Sequence, residues 1–313
     1  MSKPRSKSAD YAVYVLIRVV VCVLQSLSHG TARKVAAGLA WLLYRVDRRH
    51  RLVADDNLRQ AFPGRFSDAE RDALVRSVYG HFCHLLIDII QTPRRLNPAT
   101  WRKYVEMQAG RPLVDRLLSG RPLLLVTGHF GNWEIGGYVL GLLGFRTYAI
   151  ARPLDNPYLD DFLRRFRERT GQGILAKHGD FEKMNAILES NGVLATLGDQ
   201  DAGQRGLFVD FFGRPASTHK AVALLALEHR VPMLVLGVRK VAEPMRYRIV
   251  IEEHILPEEY DGQPDAVRAM TRRFTEALER VVRRAPEQYF WLHRRWKHQP
   301  QPKKSKGAKP LAA

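Results

Sequence analysis

From residue 120 onward, short apolar runs alternate with longer amphipathic stretches, and this alternation restricts the fold more than any other feature. Leu123-Leu124-Leu125-Val126 follows Pro122 and precedes Gly128. Thr147–Ile150, Val193–Leu197, Met233–Val238 and Tyr247–Ile251 are similar short runs. Runs of this length bounded by Gly and Pro read as buried strands. Residues 134–143, 156–170, 180–190, 217–229 and 264–284 read as helices, and Gly198–Pro215 reads as a loop. Strands alternating with helices over such a span predict an α/β fold with a mostly parallel central sheet flanked by helices.

Upstream the pattern is helical. Residues 50–105 carry helical spacing, broken at Phe62-Pro63-Gly64. Ser67 with Glu70 three residues later is a capping-box pattern, and the helix it starts is expected to end near Gln91, before Pro93. Ahead of this lies an apolar run, Tyr11 to Leu27, interrupted by Arg18 and Gln25 and preceded by Lys3, Arg5 and Lys7. Its length sits at the lower edge of the roughly 17–25 residues a spanning helix needs. No small-residue cleavage motif follows it. A second helical pattern, Thr31 to Tyr44, carries Arg33, Lys34 and Arg45 at its borders. Residues 1–48 are therefore expected to anchor the chain to a membrane, spanning it or lying in its interface. The competing reading is a buried amino-terminal helix. Residues 49–298 form the main domain, and the proline- and lysine-rich 299–313 segment is expected to be a disordered basic tail.

Charge narrows the partners. Among 313 residues, 50 Lys and Arg face 32 Asp and Glu, a net charge of +18. Arginine far outnumbers lysine, which suits bidentate recognition of phosphate or carboxylate. Such a surface seeks nucleic acid, an anionic membrane or a phosphorylated substrate. A hydrophobic share of 45% excludes wholesale disorder. Cys22 and Cys83 are too few for a disulfide scaffold and match no zinc spacing.

One segment carries chemistry. Gly128-His129-Phe130-Gly131-Asn132-Trp133-Glu134 lies after an expected strand and before an expected helix. Sites in such folds form at the carboxyl ends of strands. His129 is thus placed to act as a base. Asn132 is suited to cap the next helix, and Glu134 falls in its first turn, where the helix dipole favours a carboxylate. The loop is expected to bring Glu134 back to one imidazole nitrogen, leaving the other free to take a proton from an alcohol. Gly131 permits close substrate approach.

The His-x-x-x-x-Glu pattern in this setting resembles the H-x4-D/E motif of the glycerolipid acyltransferase superfamily. Arg152-Pro153-Leu154-Asp155-Asn156-Pro157 resembles the RPxDNP segment of the lipid A late acyltransferases. Asp199-Gln200-Asp201 with Phe212-Gly213-Arg214-Pro215-Ala216 is similar to their DxD loop and FxGxPA stretch. Pro286–Lys297 is similar to their carboxyl-terminal PEQYxWLHRRFK signature. The resemblance covers residues 10–300 and implies an enzyme on the cytoplasmic face of the inner membrane. Its donor would be acyl-carrier protein or acyl-CoA, and its acceptor an anionic glycolipid hydroxyl. It implies His129 as base with Glu134 as partner, and Arg167 and Asp199 as functional residues. Arg169 and Asp201 are their neighbours, and Gly131, Asn132 and Arg152 complete the expected substrate-binding set. No cofactor and no metal is expected. Direct transfer is expected, since no G-x-S-x-G motif is present and neither cysteine lies near His129 in sequence. The oxyanion would be held by backbone N–H groups near Gly131 or by an arginine.

Rival signals have plainer readings. His81, His84 and Asp88 share a helical face near Cys83, but a zinc site wants more, and a helix surface or satisfied core contact is expected. Gly171-Gln172-Gly173-Ile174-Leu175-Ala176 matches a dinucleotide pattern but follows a helix, so that reading fails on context. Asp199 and Asp201 would suit a metal and sugar nucleotide only without the other motifs. Arg294 and Arg295 are expected at the membrane rim. A nucleic-acid partner is not expected: the apolar 11–27 run and the strand-end His/Glu pair argue against it. Phosphatidylinositol-mannoside and lysophospholipid acyl transfer remain as alternatives within the same chemistry.

Overall fold

Ser6, Ser28, Asp47 and Ser67 each accept a backbone N–H three residues on, and these caps divide the amino-terminal region into helices. They start α1 (Lys7–Ser26), α2 (His29–Val46), α3 (Arg48–Ala61) and α4 (Asp68–Arg95). The computed structural model describes residues 6–300 apart from 109, 177 and 178. Residues 1–5 and most of the expected basic tail lie outside the described residues.

Ser67 and Glu70 form the expected capping box at the start of α4. The far end differs from expectation. Pro93 lies inside the last turn rather than beyond the helix. A proline deletes one hydrogen bond to the residue four back, and near a terminus that loss is small. Thr92 Oγ1 donates to the Asp88 carbonyl, and the Leu96 N–H closes the end on Thr92.

Next come β1 (Val105–Gln108), α5 (Gly110–Leu118), β2 (Leu123–Thr127), α6 (Trp133–Leu142), β3 (Thr147–Ala151), α7 (Pro157–Glu168), β4 (Gln172–Ala176), α8 (Phe181–Glu189), β5 (Val193–Leu197), β6 (Leu207–Phe211), β7 (Arg214–Thr218), α9 (Ala221–Glu228), β8 (Met233–Ala242), β9 (Arg246–Ile255) and α10 (Ala266–Arg284). The main sheet has the order β1-β9-β8-β2-β5-β3-β4. Strands β8, β2, β5, β3 and β4 run parallel; β9 is antiparallel to β8 and parallel to β1. The fold is a mostly parallel α/β sheet flanked by helices. Side chains of alternate strand residues enter two cores. Leu125, Leu236 and Val238 pack with α6 on one face, while Leu124, Val126 and Val235 pack with α9 and α10 on the other.

The sequence reading missed β1, α5 and β4, read β6 as loop, and divided β7 between that loop and the start of the helix expected over 217–229. Strand β4 holds Gly173, which contributes no side chain to a hydrophobic run. The β6–β7 hairpin turns through Phe212 and Gly213, both at positive φ, 56° and 72°. Such a turn matches the twist of the two strands.

Helix α2 packs closely against α4 because Ala32, Ala36 and Ala40, four apart, are buried on one face. Within α1 the buried residues are Asp10 and Leu24. It is nonetheless tied to the body at both ends. The Asn156 amide donates to the Asp10 carbonyl, and Tyr11 stacks edge-on against Tyr158 at 5.3 Å. Gln25 donates to the Ile90 carbonyl, and Gln91 donates to the Leu24 carbonyl. By length and composition α1 is long and apolar enough to cross a membrane. Val35, Leu39, Trp41, Leu42 and Val46 of α2 are exposed as well.

Candidate active site

Strand register assembles the site. β2 pairs in parallel with β5 so that Thr127 faces Leu197, and the chain leaves both strands at the same edge. Two residues beyond each, His129 and Asp199 meet. The His129 N–H donates to Asp199 Oδ2 at 2.9 Å, and Nδ1 lies 2.8 Å from Oδ1. One carboxylate thus fixes both the backbone and the ring. Nδ1 then carries the proton, and Nε2 is the basic nitrogen. The Gln200 amide lies 3.3 Å from it. Trp133 meets the ring edge-on at 5.1 Å, and Phe290 lies 6.2 Å away.

The electrostatics follow from burial. Asp199 is 4% exposed. Burial alone raises its pKa, but the His129 charge and hydrogen bonds outweigh this and hold it below the usual 3.8. Burial lowers the imidazole pKa, yet Asp199, through charge and hydrogen bond, and the Glu134 charge raise it above 6.5.

The loop between β2 and α6 is threaded tightly. The Gly131 N–H donates to the Gln288 carbonyl, the Asn132 N–H to the Val238 carbonyl and the Phe290 N–H to the His129 carbonyl. Gly131 has φ +59°, and a Cβ there would fall 1.8 Å from the Val238 oxygen, so no other residue fits. The Gly131 N–H is therefore committed, and the expected backbone oxyanion donor at Gly131 is corrected. Asn132 caps α6 by accepting from the Ile135 N–H at 3.0 Å.

Glu134 differs most from expectation. Its carboxylate does not turn to His129. It grips the Arg167 guanidinium in two contacts of 2.5 and 3.0 Å and accepts from Trp133 Nε1 at 3.2 Å. Asp199 occupies the place beside Nδ1 that the sequence reading gave to Glu134. The reason is direction: a side chain in the first turn of α6 projects toward α7, where Arg167 stands, while the strand-end loops face each other.

The remaining expected residues divide. Asp201 accepts from His298 Nδ1 at 2.6 Å and from the Gly203 N–H, and it makes no bond to His129. Arg152 is exposed and pairs with Asp155 at 3.0 Å. Arg169 is exposed past the end of α7. Arg295, expected at a membrane rim, is buried and donates to Ser217 and Thr218. His81 and Asp88 part company: His81 Nε2 donates to the Gly131 carbonyl at 3.2 Å, and burial pushes its pKa down to about 4. Asp88 is fully buried and binds His29, Lys240 and Tyr247.

A cavity of about 780 Å³, counted with its mouth, opens between α6 and the sheet. Trp133, Glu134 and Arg167 line it together with Leu125, Ala149 and Leu140. Trp133, Gln200 and Phe290 were not singled out as site residues from sequence; their places in three of the quoted motifs, around His129, around Asp199 and in Pro286–Lys297, were the available signal.

A histidine locked by a carboxylate and packed on Trp133, which lines an apolar cavity, fits acyl transfer. The sequence comparisons agree. The model described as "Bacterial lipid A biosynthesis acyltransferase" matches residues 2–298. The chain belongs to that family. The lipid A biosynthesis lauroyltransferase of Escherichia coli (strain K12) is 26% identical over 293 residues, 90% of each chain. The palmitoleoyltransferase of the same strain is 27% identical over 258 residues, 81% of this chain and 80% of its own. A phosphatidylinositol mannoside acyltransferase of Mycobacterium tuberculosis (strain ATCC 25618 / H37Rv) is 29% identical over 122 residues, 38% of this chain and 39% of its own. The chain is an acyltransferase.

Proposed function

We propose that this enzyme moves a fatty acyl group from a thioester, on acyl-carrier protein or coenzyme A, to a hydroxyl of a lipid A precursor. The observation that carries this reading is His129, whose Nδ1 Asp199 holds at 2.8 Å, whose Nε2 meets only the Gln200 amide among the described residues, and whose ring packs on Trp133 of the apolar cavity. The cavity takes the acyl chain. The acceptor hydroxyl displaces the Gln200 amide at Nε2. His129 removes its proton as the oxygen attacks the thioester carbonyl carbon. The Asp199 carboxylate stabilises the imidazolium so formed. Arg167, set by Glu134, stabilises the oxyanion. Collapse forms the ester and breaks the carbon–sulfur bond, and the thiolate takes the proton back from His129. No acyl-enzyme forms.

The setting proposed is the cytoplasmic face of the inner membrane. Val19 and Val23 of α1 and Leu39 and Trp41 of α2 are exposed apolar residues. Arg33, Lys34, Arg45, Arg48 and Arg49 stand at the borders of that layer, as an anionic membrane surface favours. Because α1 is bonded to α7 and α4 at its two ends, it lies along the body, as an interfacial helix does.

The test is a transfer assay in detergent. Labelled acyl-carrier protein or acyl-CoA is offered with a phosphorylated glucosamine lipid or with a phosphatidylinositol mannoside, and His129→Ala is run in parallel. Label reaching the glucosamine lipid with wild type alone supports the reading. Transfer to the mannoside alone moves the acceptor to the mycobacterial type. Folded wild type with neither transfer nor thioester cleavage defeats it.

A further inference from the structure

We infer that Gln172 closes the far end of the acyl cavity and that its amide sets the longest chain the enzyme accepts. The inference rests on the acyl-transfer reading and extends it to donor choice. Strand register gives the cavity a direction. Thr127, Leu197 and Ala151 line it at the carboxyl edge of the sheet, beside Trp133, Glu134 and Arg167. Thr147 and Gln172, paired with each other at the opposite edge, line the other end. Thr147 and Ala151 bound β3, which spans about 13 Å between them at the usual rise per residue. Between the ends the walls are aliphatic: Leu125, Leu140, Ala149 and Ala195.

Gln172 breaks that character. It is 8% exposed as a residue, and its amide atoms are not among the fully buried unpartnered ones, so they keep a face on the cavity that Gln172 lines. It lies flat against α6 where that helix has no side chain: a Cβ on Gly137 would fall 2.3 Å from its Nε2. The Gly171-Gln172-Gly173 run thus places an amide at the end of a greasy cavity. An amide sealed against apolar atoms without a partner is costly. Hydration satisfies it while the tip of an acyl chain stops short. A chain long enough to press its methyl against the amide strips that hydration and gains nothing in return. The amide therefore acts as a stop, and acceptance falls off at the length that reaches it.

The experiment is a competition among acyl-carrier protein donors of graded, even chain length, read as relative kcat/KM. Gln172→Leu keeps the size and removes the polarity. It is expected to raise the relative kcat/KM of the donor two carbons past the wild-type optimum by about tenfold, the factor that corresponds to about 1.4 kcal/mol. Gly137→Ala pushes the amide into the cavity and is expected to shift the optimum to a shorter donor. Thermal unfolding checks that each variant is folded. An unchanged length profile in folded Gln172→Leu overturns the inference while leaving acyl transfer intact. A wild-type preference for donors carrying a hydroxyl near the chain end, lost in Gln172→Leu, also overturns it, because the amide then binds an oxygen of the chain. Wild type that moves no acyl group from any donor overturns the acyl-transfer reading and this inference with it.

Discussion

Two buried carboxylates in this chain each hold an imidazole, Asp199 with His129 at 2.8 Å and Asp88 with His29 at 3.0 Å, and they serve opposite ends. Asp88 is sealed: His29, the Lys240 ammonium and the Tyr247 hydroxyl consume it, and its own side chain is 0% exposed. Its partners come from α2, β8 and β9, so it pins the amino-terminal helices to the sheet edge. Asp199 holds the backbone and ring of His129 with the Tyr289 hydroxyl beside it, and the His129 side chain keeps 20% of its surface open next to Trp133, which lines the cavity. The same pair of groups is sealed where three distant side chains close on the carboxylate and open where the far imidazole nitrogen meets only the Gln200 amide at 3.3 Å among the described residues. Composition and spacing of the residues do not distinguish the two; the room at the far nitrogen does.

Predictions follow that difference. The largest effect belongs to the open pair. His129→Ala is expected to lower kcat by about 10²–10⁴, the range for losing a general base, with unfolding temperature nearly unchanged. Single-turnover kinetics with thermal melts measure both. Near-normal turnover in a folded variant contradicts the assignment.

The sealed pair predicts the reverse. Asp88→Ala takes the partner from the buried His29 imidazole and Tyr247 hydroxyl and leaves Lys240 with Glu243 alone, and is expected to cost about 3–5 kcal/mol of stability. The folded fraction should keep its pH–rate profile. Denaturant unfolding of Asp88→Ala beside His129→Ala reads the contrast, and equal stability loss in both variants breaks it.

A smaller effect separates Glu134 from Asp199. Glu134 reaches His129 only through charge while it binds Arg167 directly. Glu134→Gln is therefore expected to lower kcat by loosening Arg167 while moving the His129 pKa only slightly downward. A pH shift as large as that of Asp199→Asn would restore Glu134 as the partner of the base.

Legibility in the sequence was uneven for physical reasons. Strand runs such as Leu123–Val126 and the strand-end position of His129 were readable because burial leaves a continuous apolar signature. The partner of His129 was not, because it depends on β2 lying beside β5, two segments about 70 residues apart that no local pattern pairs. Motif spacing pointed instead to Glu134, five residues away and facing another helix. Likewise Asp88 shared a helical face with His81 and His84, yet its partners came from distant parts of the chain. Strand β4 was hidden by Gly173, and the β6–β7 hairpin by Asp210 and a glycine turn. The exposed apolar face of α1 was visible as a run, while its bonds to α7 and α4 required the fold.

The most direct test of the central claim is the pH dependence of single-turnover acyl transfer in wild type and Asp199→Asn. Asp199 has a lowered pKa and His129 a raised one, so the ion pair is fully formed between their ordinary values of 3.8 and 6.5. It is lost as pH falls through the Asp199 pKa or rises through the His129 pKa. Catalysis needs the neutral base, so the wild-type rate is expected to rise with pH through a pKa above 6.5. In Asp199→Asn burial remains without its counter-charge, and the rising limb is expected to move to lower pH with a reduced plateau. A limb that stays in place when Asp199 is neutralised would contradict the account.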